Sequence, residues 1–399
     1  MIVSDLFPPG FKGGGPTQTI ANLVAHCRPL YDFFVITRDT DFGEKARYTG
    51  IRPDEWIEKY GCTVNYLSVR NRSLLCIRNV LRSIEYDLLY LQSIFSKSTI
   101  KVLLLRRLGL LAQAPVVLAP RGELLPNAIQ HRKMKMIKKH LFLRLAKLCG
   151  LYRALNWQAT SEAERAHLRQ YFSGKIHLAP NLPMKMGAGQ GEPNRERQTK
   201  KAGRADLIFL ARITPVKNLD FALDVLRRVR GEVSLHIYGP IEKGAYWSQC
   251  QTQISRMPAN IRVTYAGVIA HEQVIGTFGR HHFFLLPTRT ENFGHVILES
   301  ISAGCPVVIS DRTPWRDLQA AGAGWDLPLE DPGAFRKVLQ RCVDMGPEEY
   351  DALVRRTLEY GRSVTAGDEA VEQTRRMFDQ AISDYRRGRT STETGVKAT

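Results

Sequence analysis

The sequence lacks the features that mark secreted and membrane-spanning proteins. No uninterrupted apolar run among its 399 residues approaches the roughly 18 residues that a membrane-spanning helix needs. The chain enters a predicted strand at Ile2, so we expect no signal peptide. Its seven cysteines are dispersed without a C-x-x-C pair, which is typical of reduced thiols and argues against a disulfide framework or a cysteine zinc site. We therefore expect a cytoplasmic protein.

Acidic residues are also scarce relative to basic ones. The chain has 57 lysines and arginines against 39 aspartates and glutamates, which gives a formal net charge of +18. An excess of this size favours an anionic partner such as nucleic acid, anionic lipid or a phosphorylated substrate. The hydrophobic content of 44% is that of a globular protein, and the length suffices for two domains with full cores.

Predicted strands and helices alternate through both halves of the chain. The first half spans residues 1–182 and the second spans 205–367, with a linker rich in glycine, proline and charge at 183–204. Alternation of this kind predicts a parallel sheet covered by helices on both faces. We therefore expect an α/β fold with two Rossmann-like domains that face each other across a cleft. Residues 387–399 lack an apolar pattern, and we expect a disordered tail there.

A predicted helix start follows one strand of the second half. The strand His282–Leu286 leads into a loop, and Asn292 is predicted to cap a helix over Phe293–Ala303, which Gly304 ends. Such an arrangement points unsatisfied backbone N–H groups beyond the ends of the strands. The stretch therefore suits a phosphate.

Two glutamates lie beside this helix start. Glu291 precedes the predicted helix, and Glu299 lies about two turns along it. Ionised carboxylates accept hydrogen bonds but do not donate them, so they suit the hydroxyl groups of a sugar or ribose rather than the phosphate. Residues 287–309 therefore indicate a nucleotide-sugar site.

Two cations follow the first strand of the second half. Arg212 lies at the carboxyl end of the strand Leu207–Ala211, and Lys217 opens the next predicted helix. Open parallel sheets bind ligands at this edge. The two charges, facing the helix start at Phe293 and Gly294, can neutralise a diphosphate without a metal ion.

The first half contains two weaker signals. A glycine-rich loop, residues 10–15, separates the first strand from a helix, although its spacing is not that of a dinucleotide fingerprint. The triplet Asp39-Thr40-Asp41 has a D-x-D form that holds a metal in some enzymes. No other carboxylate cluster accompanies it, so we interpret it as a solvated or substrate-facing loop and expect no metal.

Residues 131–153 form a basic amphipathic segment without a single acid. Apolar residues recur there at helical spacing: Met134, Ile137, Leu141, Leu145 and Leu148. One interpretation is a core helix with a solvated basic face, and the other is docking on anionic lipid headgroups. No aromatic-interleaved basic stripe or helix-turn-helix accompanies the segment, so we expect no nucleic-acid partner.

Together these motifs resemble the family 4 retaining glycosyltransferases, also described as glycosyl transferases group 1, which share the GT-B fold. The motifs that carry the resemblance are Arg212 with Lys217, Tyr238-Gly239, the pair Glu291 and Glu299, residues 302–307, and the glycines at 13–15. The resemblance implies a metal-independent transfer of a sugar from a UDP-, GDP- or ADP-sugar, by front-side attack and with no cofactor. It also implies that the last helix, 368–386, crosses back to the first domain.

The resemblance assigns roles to individual residues. Arg212 and Lys217 would bind the donor diphosphate and support catalysis, and Glu291 would contact the donor sugar beside its anomeric carbon. Glu299 would hold the ribose hydroxyls. The remaining donor-binding residues would be Gly14, Gly15, Tyr238, Gly239, Asn292, Phe293 and Gly294.

The chain departs from the family pattern after the strand Val116–Ala119. Many members carry a histidine there, whereas this sequence has Arg121 and Gly122, which become candidate acceptor residues. The Pro-Arg-Gly version resembles members that build bacterial exopolysaccharide or O-antigen. Their acceptors are lipid-linked saccharides at the inner face of the cytoplasmic membrane, where residues 131–153 could make the protein peripheral. The alternatives are a nucleotide-sugar epimerase of the same fold and a non-enzymatic basic anion-binding protein.

Overall fold

The computed structural model describes residues 1–124, 133–185 and 199–395. It divides the chain into two units, Met1–Leu182 with Asp368–Thr399, and Pro183–Gly367. The second unit is therefore an insertion within the sequence of the first. Within the described ranges, no helix is long and apolar enough to cross a membrane.

The first unit is built on an eight-stranded sheet. Its strands are β1 (Ile2–Val3), β2 (Phe34–Arg38), β3 (Trp56–Lys59), β4 (Cys62–Leu67), β5 (Leu89–Gln92), β6 (Val116–Ala119), β7 (Asn156–Ala159) and β8 (Lys175–Leu178). The order is β3-β4-β2-β1-β5-β6-β7-β8, and only β3 pairs in antiparallel fashion. Val116 and Leu118 join one apolar cluster while Val117 and Ala119 join another, so a core lies on each face of the sheet.

Helices connect these strands. They are α1 (Gly15–Cys27), α2 (Leu74–Arg82), α3 (Lys97–Arg107), α4 (Lys133–Leu148) and α5 (Glu162–Tyr171), with a 3₁₀ turn at Val69–Asn71. Serine hydroxyls at Ser73, Ser96 and Ser161 accept a backbone N–H of the first turn of α2, α3 and α5. These caps satisfy donors that a helix start otherwise leaves unpaired.

The second unit is built on six parallel strands. They are β9 (Arg204–Leu210), β10 (Glu232–Tyr238), β11 (Ile261–Gly267), β12 (Phe283–Leu286), β13 (Val307–Ser310) and β14 (Gly324–Leu327). The order is β11-β10-β9-β12-β13-β14. The chain reverses its direction of strand addition between β9 and β12, which is where open α/β sheets bind ligands.

Helices again connect and cover the strands. They are α6 (Leu219–Leu226), α7 (Gly244–Ile254), α8 (His271–Gly279), α9 (His295–Ser302), α10 (Leu318–Ala321), α11 (Pro332–Asp344) and α12 (Pro347–Thr365). All four residues of β12 and of β13 are buried, because helices lie on both faces. The prediction of two α/β units with mainly parallel sheets is confirmed.

The last helix, α13 (Glu369–Gly395), belongs to the first unit. Met377, Phe378 and Ala381 are buried in the same apolar cluster as β1. The ring of Phe378 meets those of Tyr31 and Tyr90 edge to face, at 5.7 and 5.6 Å between centroids. The end of the chain therefore completes a core that the first strands begin.

Two predicted boundaries differ from the structure. The tail expected from residue 387 instead continues α13 as far as Gly395, where ion pairs such as Arg387–Asp384 can support a helix without a core. The predicted linker at 183–204 lies largely outside the described residues, but Lys200 is buried and donates to the carbonyls of Val343 and Met345. Residues next to β9 therefore belong to the second unit.

We predict that Phe378→Ala destabilises the first unit by about 3–5 kcal/mol, because it leaves a cavity between two aromatic rings. The Tm followed by circular dichroism should fall. Phe42→Ala is the matched control, since the ring of Phe42 is 40% exposed and its loss should change the Tm little. Equal Tm values for Phe378→Ala and the unmodified protein would contradict a core that includes α13.

Candidate functional site

Two loops lie side by side at the carboxyl edge of the second sheet. Strands β9 and β12 pair with each other, so the loops that follow them leave the same edge. The first loop carries Arg212 and Lys217, and the second carries Glu291. The loops are joined directly, because the N–H of Arg289 donates to the carbonyl of Val216 over 2.8 Å.

Asn218 locks the two loops in register. It precedes α6 in the left-handed conformation, with φ +62°, which asparagine tolerates better than most residues. Its amide donates to the carbonyl of Pro287 over 3.0 Å, and its oxygen accepts from Nε of Arg289 over 3.1 Å. Asn218 was not among the residues predicted from the sequence, although its position directly after Lys217 was a signal of a helix cap.

Lys217 and Glu291 form an ion pair between the loops. Their side chains are only 15% and 17% exposed. Burial by itself would raise the pKa of Glu291, but the Lys217 ammonium and the N–H of Asn292 outweigh it and leave this pKa lowered. Glu291 is therefore an ionised carboxylate at neutral pH, held beside a cation.

Arg212 has a different carboxylate partner. Its Nη1 donates to Oε2 of Glu242 over 2.8 Å, and both side chains are about one-third exposed. Glu242 follows β10, the other neighbour of β9, so the sheet order brings it to the same edge. Glu242 was not predicted from the sequence, where its only signal was its position four residues after Tyr238.

The helix beside Glu291 begins later than predicted. Gly294, not Asn292, is its N-cap, and α9 runs over His295–Ser302, so Phe293 lies before the helix. Gly294 has φ +80°, and a Cβ there would lie 2.8 Å from the side chain of Ile297. The left-handed glycine sets the start of the helix, which overrides the local capping preference of Asn292.

Glu299 lies within α9 and is 6% exposed. Burial raises the pKa of its carboxyl to about 7. Nδ1 of His271, at the start of α8, lies 3.8 Å from this carboxylate, and burial lowers the pKa of that histidine. A buried carboxyl with a raised pKa is typical of a group kept for a ligand rather than for stability.

Tyr238 is the last residue of β10 and Gly239 follows it, next to the loop that carries Arg212. Gly239 has φ +134°, and a Cβ there would lie 2.0 Å from the carbonyl oxygen of Ala211. Its N–H donates to the carbonyl of Gly267 over 2.8 Å. Gly239 therefore allows close approach of the backbone that precedes Arg212, whether or not it also touches a ligand.

The predicted glycines of the first unit lie at the start of α1. Gly14 is its N-cap, with φ +62°, and Gly15 is its first residue. The carboxylate of Asp41 accepts from the N–H groups of Phe11 and Lys12 and thereby holds the loop before Gly14.

Of the two interpretations of the loop at Asp39–Asp41, the solvated one was wrong, and the substrate-facing one stays a prediction. Asp39 is 1% exposed and pairs with Arg72 and, over 3.1 Å, with Arg47. Asp41 is 7% exposed and holds the glycine loop. Both carboxylates have structural partners, and no group of three potential metal ligands occurs among the described residues.

Arg121 and Gly122 follow β6 and are both held by neighbours in the first unit. Arg121 is left-handed, with φ +58°, and its guanidinium donates to Asn181 and to the hydroxyl of Tyr90. The N–H of Gly122 donates to the buried carboxylate of Glu164 over 2.5 Å. Their predicted contact with an acceptor stays a prediction.

Residues 191–359 match the family model described as Glycosyl transferases group 1. The chain carries a glycosyl transferases group 1 domain. The match includes Arg212, Lys217, Glu291 and Glu299, so the site built above lies within it. The family model is one of transferases, and its match lies within the second unit.

The chain is similar to a curated protein and to solved structures. The D-inositol 3-phosphate glycosyltransferase of Streptomyces coelicolor is 26% identical over 248 residues, which span 53% of this chain and 51% of that protein. The match thus covers about half the length of the curated relative.

Two solved structures share the fold over nearly the whole chain. Alr3699/HepE of Anabaena, crystallised with UDP and glucose, has a TM-score of 0.64 at 17% identity, over 96% of this chain and 100% of that one. WaaG, a glycosyltransferase involved in lipopolysaccharide biosynthesis, has a TM-score of 0.58 at 11% identity, over 96% and 98%. The group 1 domain and these matches establish a GT-B fold.

We predict that Glu299→Gln stabilises the ligand-free protein at pH 8. The folded-state pKa of about 7 lies above the ordinary value of 4.5, so the folded carboxylate costs roughly 3 kcal/mol at pH above 7. That cost shrinks as pH falls below 7 and vanishes below the ordinary pKa. The Tm of the variant should therefore exceed that of the unmodified protein at pH 8 and approach it near pH 4.5. A pH-independent difference would contradict the raised pKa.

Proposed function

We propose that the protein is a family 4 retaining glycosyltransferase that moves a sugar from a nucleoside-diphosphate sugar to a saccharide acceptor. The observation that carries the proposal is the Lys217–Glu291 ion pair next to the start of α9, with Glu299 further along the same helix. The cation and the helix start suit the diphosphate of such a donor, Glu291 suits the sugar hydroxyls, and Glu299 suits the ribose.

The two cations can bind a diphosphate without giving up their present partners. An ammonium has three donors and a guanidinium five, so Lys217 can keep Glu291, and Arg212 can keep Glu242, while each donates to phosphate oxygens. These preorganised charges would stabilise the leaving nucleoside diphosphate as negative charge develops on it. The arrangement supports transfer without a metal ion.

The ionised state of Glu291 limits its role. A carboxylate with a lowered pKa cannot act as a general acid at neutral pH, but it accepts hydrogen bonds from sugar hydroxyls. In a retaining front-side reaction, the acceptor oxygen bonds to the anomeric carbon as the bond to the phosphate oxygen breaks. The leaving phosphate then takes the acceptor's proton. Glu291 would orient the donor sugar during this step.

Glu299 would accept from the ribose hydroxyls in its ionised form. Because its pKa in the free protein is about 7, nucleotide binding should favour loss of a proton near neutral pH. UDP is the first candidate nucleotide, since the similar HepE protein was crystallised with UDP and glucose. GDP and ADP are the alternatives.

The finer part of the proposal concerns the acceptor. We propose a lipid-linked saccharide at the inner face of the cytoplasmic membrane, used in exopolysaccharide or O-antigen synthesis. The basic helix α4 supports this assignment, as does the likeness to WaaG, which is involved in lipopolysaccharide biosynthesis. Arg121 and Gly122 would then position the acceptor through the loop after β6.

We predict that Lys217→Ala and Arg212→Ala each lower kcat by about a hundredfold or more, because each removes a cation from the leaving diphosphate. Release of nucleoside diphosphate in the presence of donor and acceptor is the measurement. The Tm should change far less than activity, since both side chains lie at the edge of the sheet. Arg228→Ala is the control, because it removes an exposed cation of the second unit that is not part of the candidate site.

Unchanged transfer in either variant would contradict the assignment. Interconversion of nucleotide sugars without an acceptor would instead support an epimerase. Absence of any turnover with bound nucleotide would support a non-enzymatic anion-binding protein.

We predict that one of the UDP-, GDP- and ADP-sugars raises the Tm of the protein in a concentration-dependent manner, because a ligand stabilises the state that binds it. Glu299→Gln should lower the affinity for this nucleotide, measured by calorimetry at pH 8, although the same variant stabilises the free protein. Equal affinity in the two proteins would remove Glu299 from the ribose site.

A further inference from the structure

Helix α4 exposes an apolar stripe. Its members follow one another at intervals of four, four and three residues, which places them on one face of the helix. The exposed fractions are 63% for Ile137, 55% for Leu141, 52% for Leu145 and 83% for Leu148. Large apolar side chains arranged in this way are not scattered surface residues.

The opposite face of α4 holds the helix to the first unit. Leu143 and Ala146 are 4% and 3% exposed and belong to the buried side. The ring centroids of Phe142 and Phe95 lie 5.9 Å apart. The ammonium of Lys139 lies 4.5 Å from the centroid of the Phe95 ring. The interpretation of the stripe as the core face of the helix was therefore wrong.

A second exposed apolar group lies next to the stripe. Near the end of α3, Leu104, Leu108 and Leu110 are 39%, 58% and 36% exposed. Nε of Arg107 donates to the carbonyl of Cys149 over 3.0 Å, directly after α4. Nη1 of Arg106 donates to the carbonyl of Arg153 over 2.8 Å. These bonds tie the ends of the two helices together, and we call the combined apolar residues the leucine surface.

The leucine surface lies in the most basic part of the chain. Between Asp87 and Glu162, the sequence has thirteen lysines and arginines and a single acid, Glu123. This stretch carries a net +12 of the chain's formal +18. Glu123 is turned inward, because it accepts from the hydroxyl of Ser93 and the N–H of Ile94 over 2.7 and 2.8 Å. The part of the chain that forms the surface therefore carries a large excess of positive charge.

We propose that the leucine surface docks on an anionic lipid bilayer, with α4 lying in the plane of the interface. Leucines would enter the boundary between headgroups and acyl chains while the flanking lysines and arginines meet anionic headgroups. This inference deepens the proposal of a lipid-linked acceptor, but its test requires no sugar transfer.

Two other occupants fit the surface less well. A symmetric dimer would bring the same basic patch of two copies together, and the like charges would repel. A nucleic acid would satisfy the basic side chains through its phosphates but would leave the seven exposed leucines and isoleucines without an apolar partner. A bilayer with anionic headgroups offers both kinds of contact.

Flotation of the full chain with vesicles tests the proposal. We expect binding to phosphatidylcholine vesicles that contain phosphatidylglycerol, weak binding to phosphatidylcholine alone, and loss of binding at high ionic strength. Lys138→Glu with Arg144→Glu should lower partitioning at least about thirtyfold, since each basic residue contributes about fivefold. Leu141→Gln with Leu145→Gln should lower it at least about tenfold.

Matched controls keep charge and surface exposure comparable. Arg336→Glu with Lys337→Glu changes the net charge equally on exposed residues of α11 in the second unit. Leu30→Gln with Leu75→Gln removes leucines that are 51% and 60% exposed elsewhere in the first unit. Both controls should float like the unmodified protein. All four substituted pairs are surface residues, and an unchanged Tm confirms that folding is intact.

Three outcomes would overturn the proposal. The unmodified protein could fail to float with anionic vesicles. The charge variant could lose binding while the leucine variant retains it, which would mean adsorption by charge without insertion. The unmodified protein could bind no vesicles but self-associate by light scattering, and the leucine variant could be monomeric. That result would make the surface a contact between copies. Donor binding and transfer are measured separately, so either proposal can fail alone.

Discussion

A lysine and a glutamate from different loops meet where two neighbouring strands of the second sheet end. The Lys217–Glu291 contact depends on the pairing of β9 with β12, since that pairing places the two loops side by side at the carboxyl edge of the sheet. It also depends on Asn218, which holds the loops in register through both ends of its amide. The result is a cation and an ionised carboxylate fixed before any ligand arrives, the condition under which electrostatic stabilisation costs least reorganisation.

Much of the fold could be predicted because parallel strands are continuous apolar runs. The strand predicted at Val116–Ala119 is β6 with the same bounds, and the strand predicted at His282–Leu286 is β12, which begins one residue later at Phe283. Edge strands such as β3 and β8 escaped prediction, because their polar residues give no core signal and their pairing depends on distant neighbours. The start of α9 was misplaced because a left-handed Gly294 outweighs the local preference of Asn292 to cap.

Residues of the site could be predicted where their type and their position after a strand indicate a binding role. Arg212, Lys217 and Glu291 could be found in this way, whereas Glu242 could not, because its contact with Arg212 depends on the order of strands. Periodicity likewise identified the apolar stripe of α4 but could not tell which face of the helix the first unit covers. Neighbours in space, rather than neighbours in sequence, decided both points.

The insertion of the second unit within the first has a consequence for synthesis of the protein. All residues of the second unit have been made once the ribosome passes Gly367, whereas the first unit still lacks the side chains of Met377, Phe378 and Ala381. Domains generally fold as units during translation, and contacts between distant residues form slowly. The inserted unit can therefore fold first, and the sheet that begins at Ile2 has an open core until the last helix has been translated.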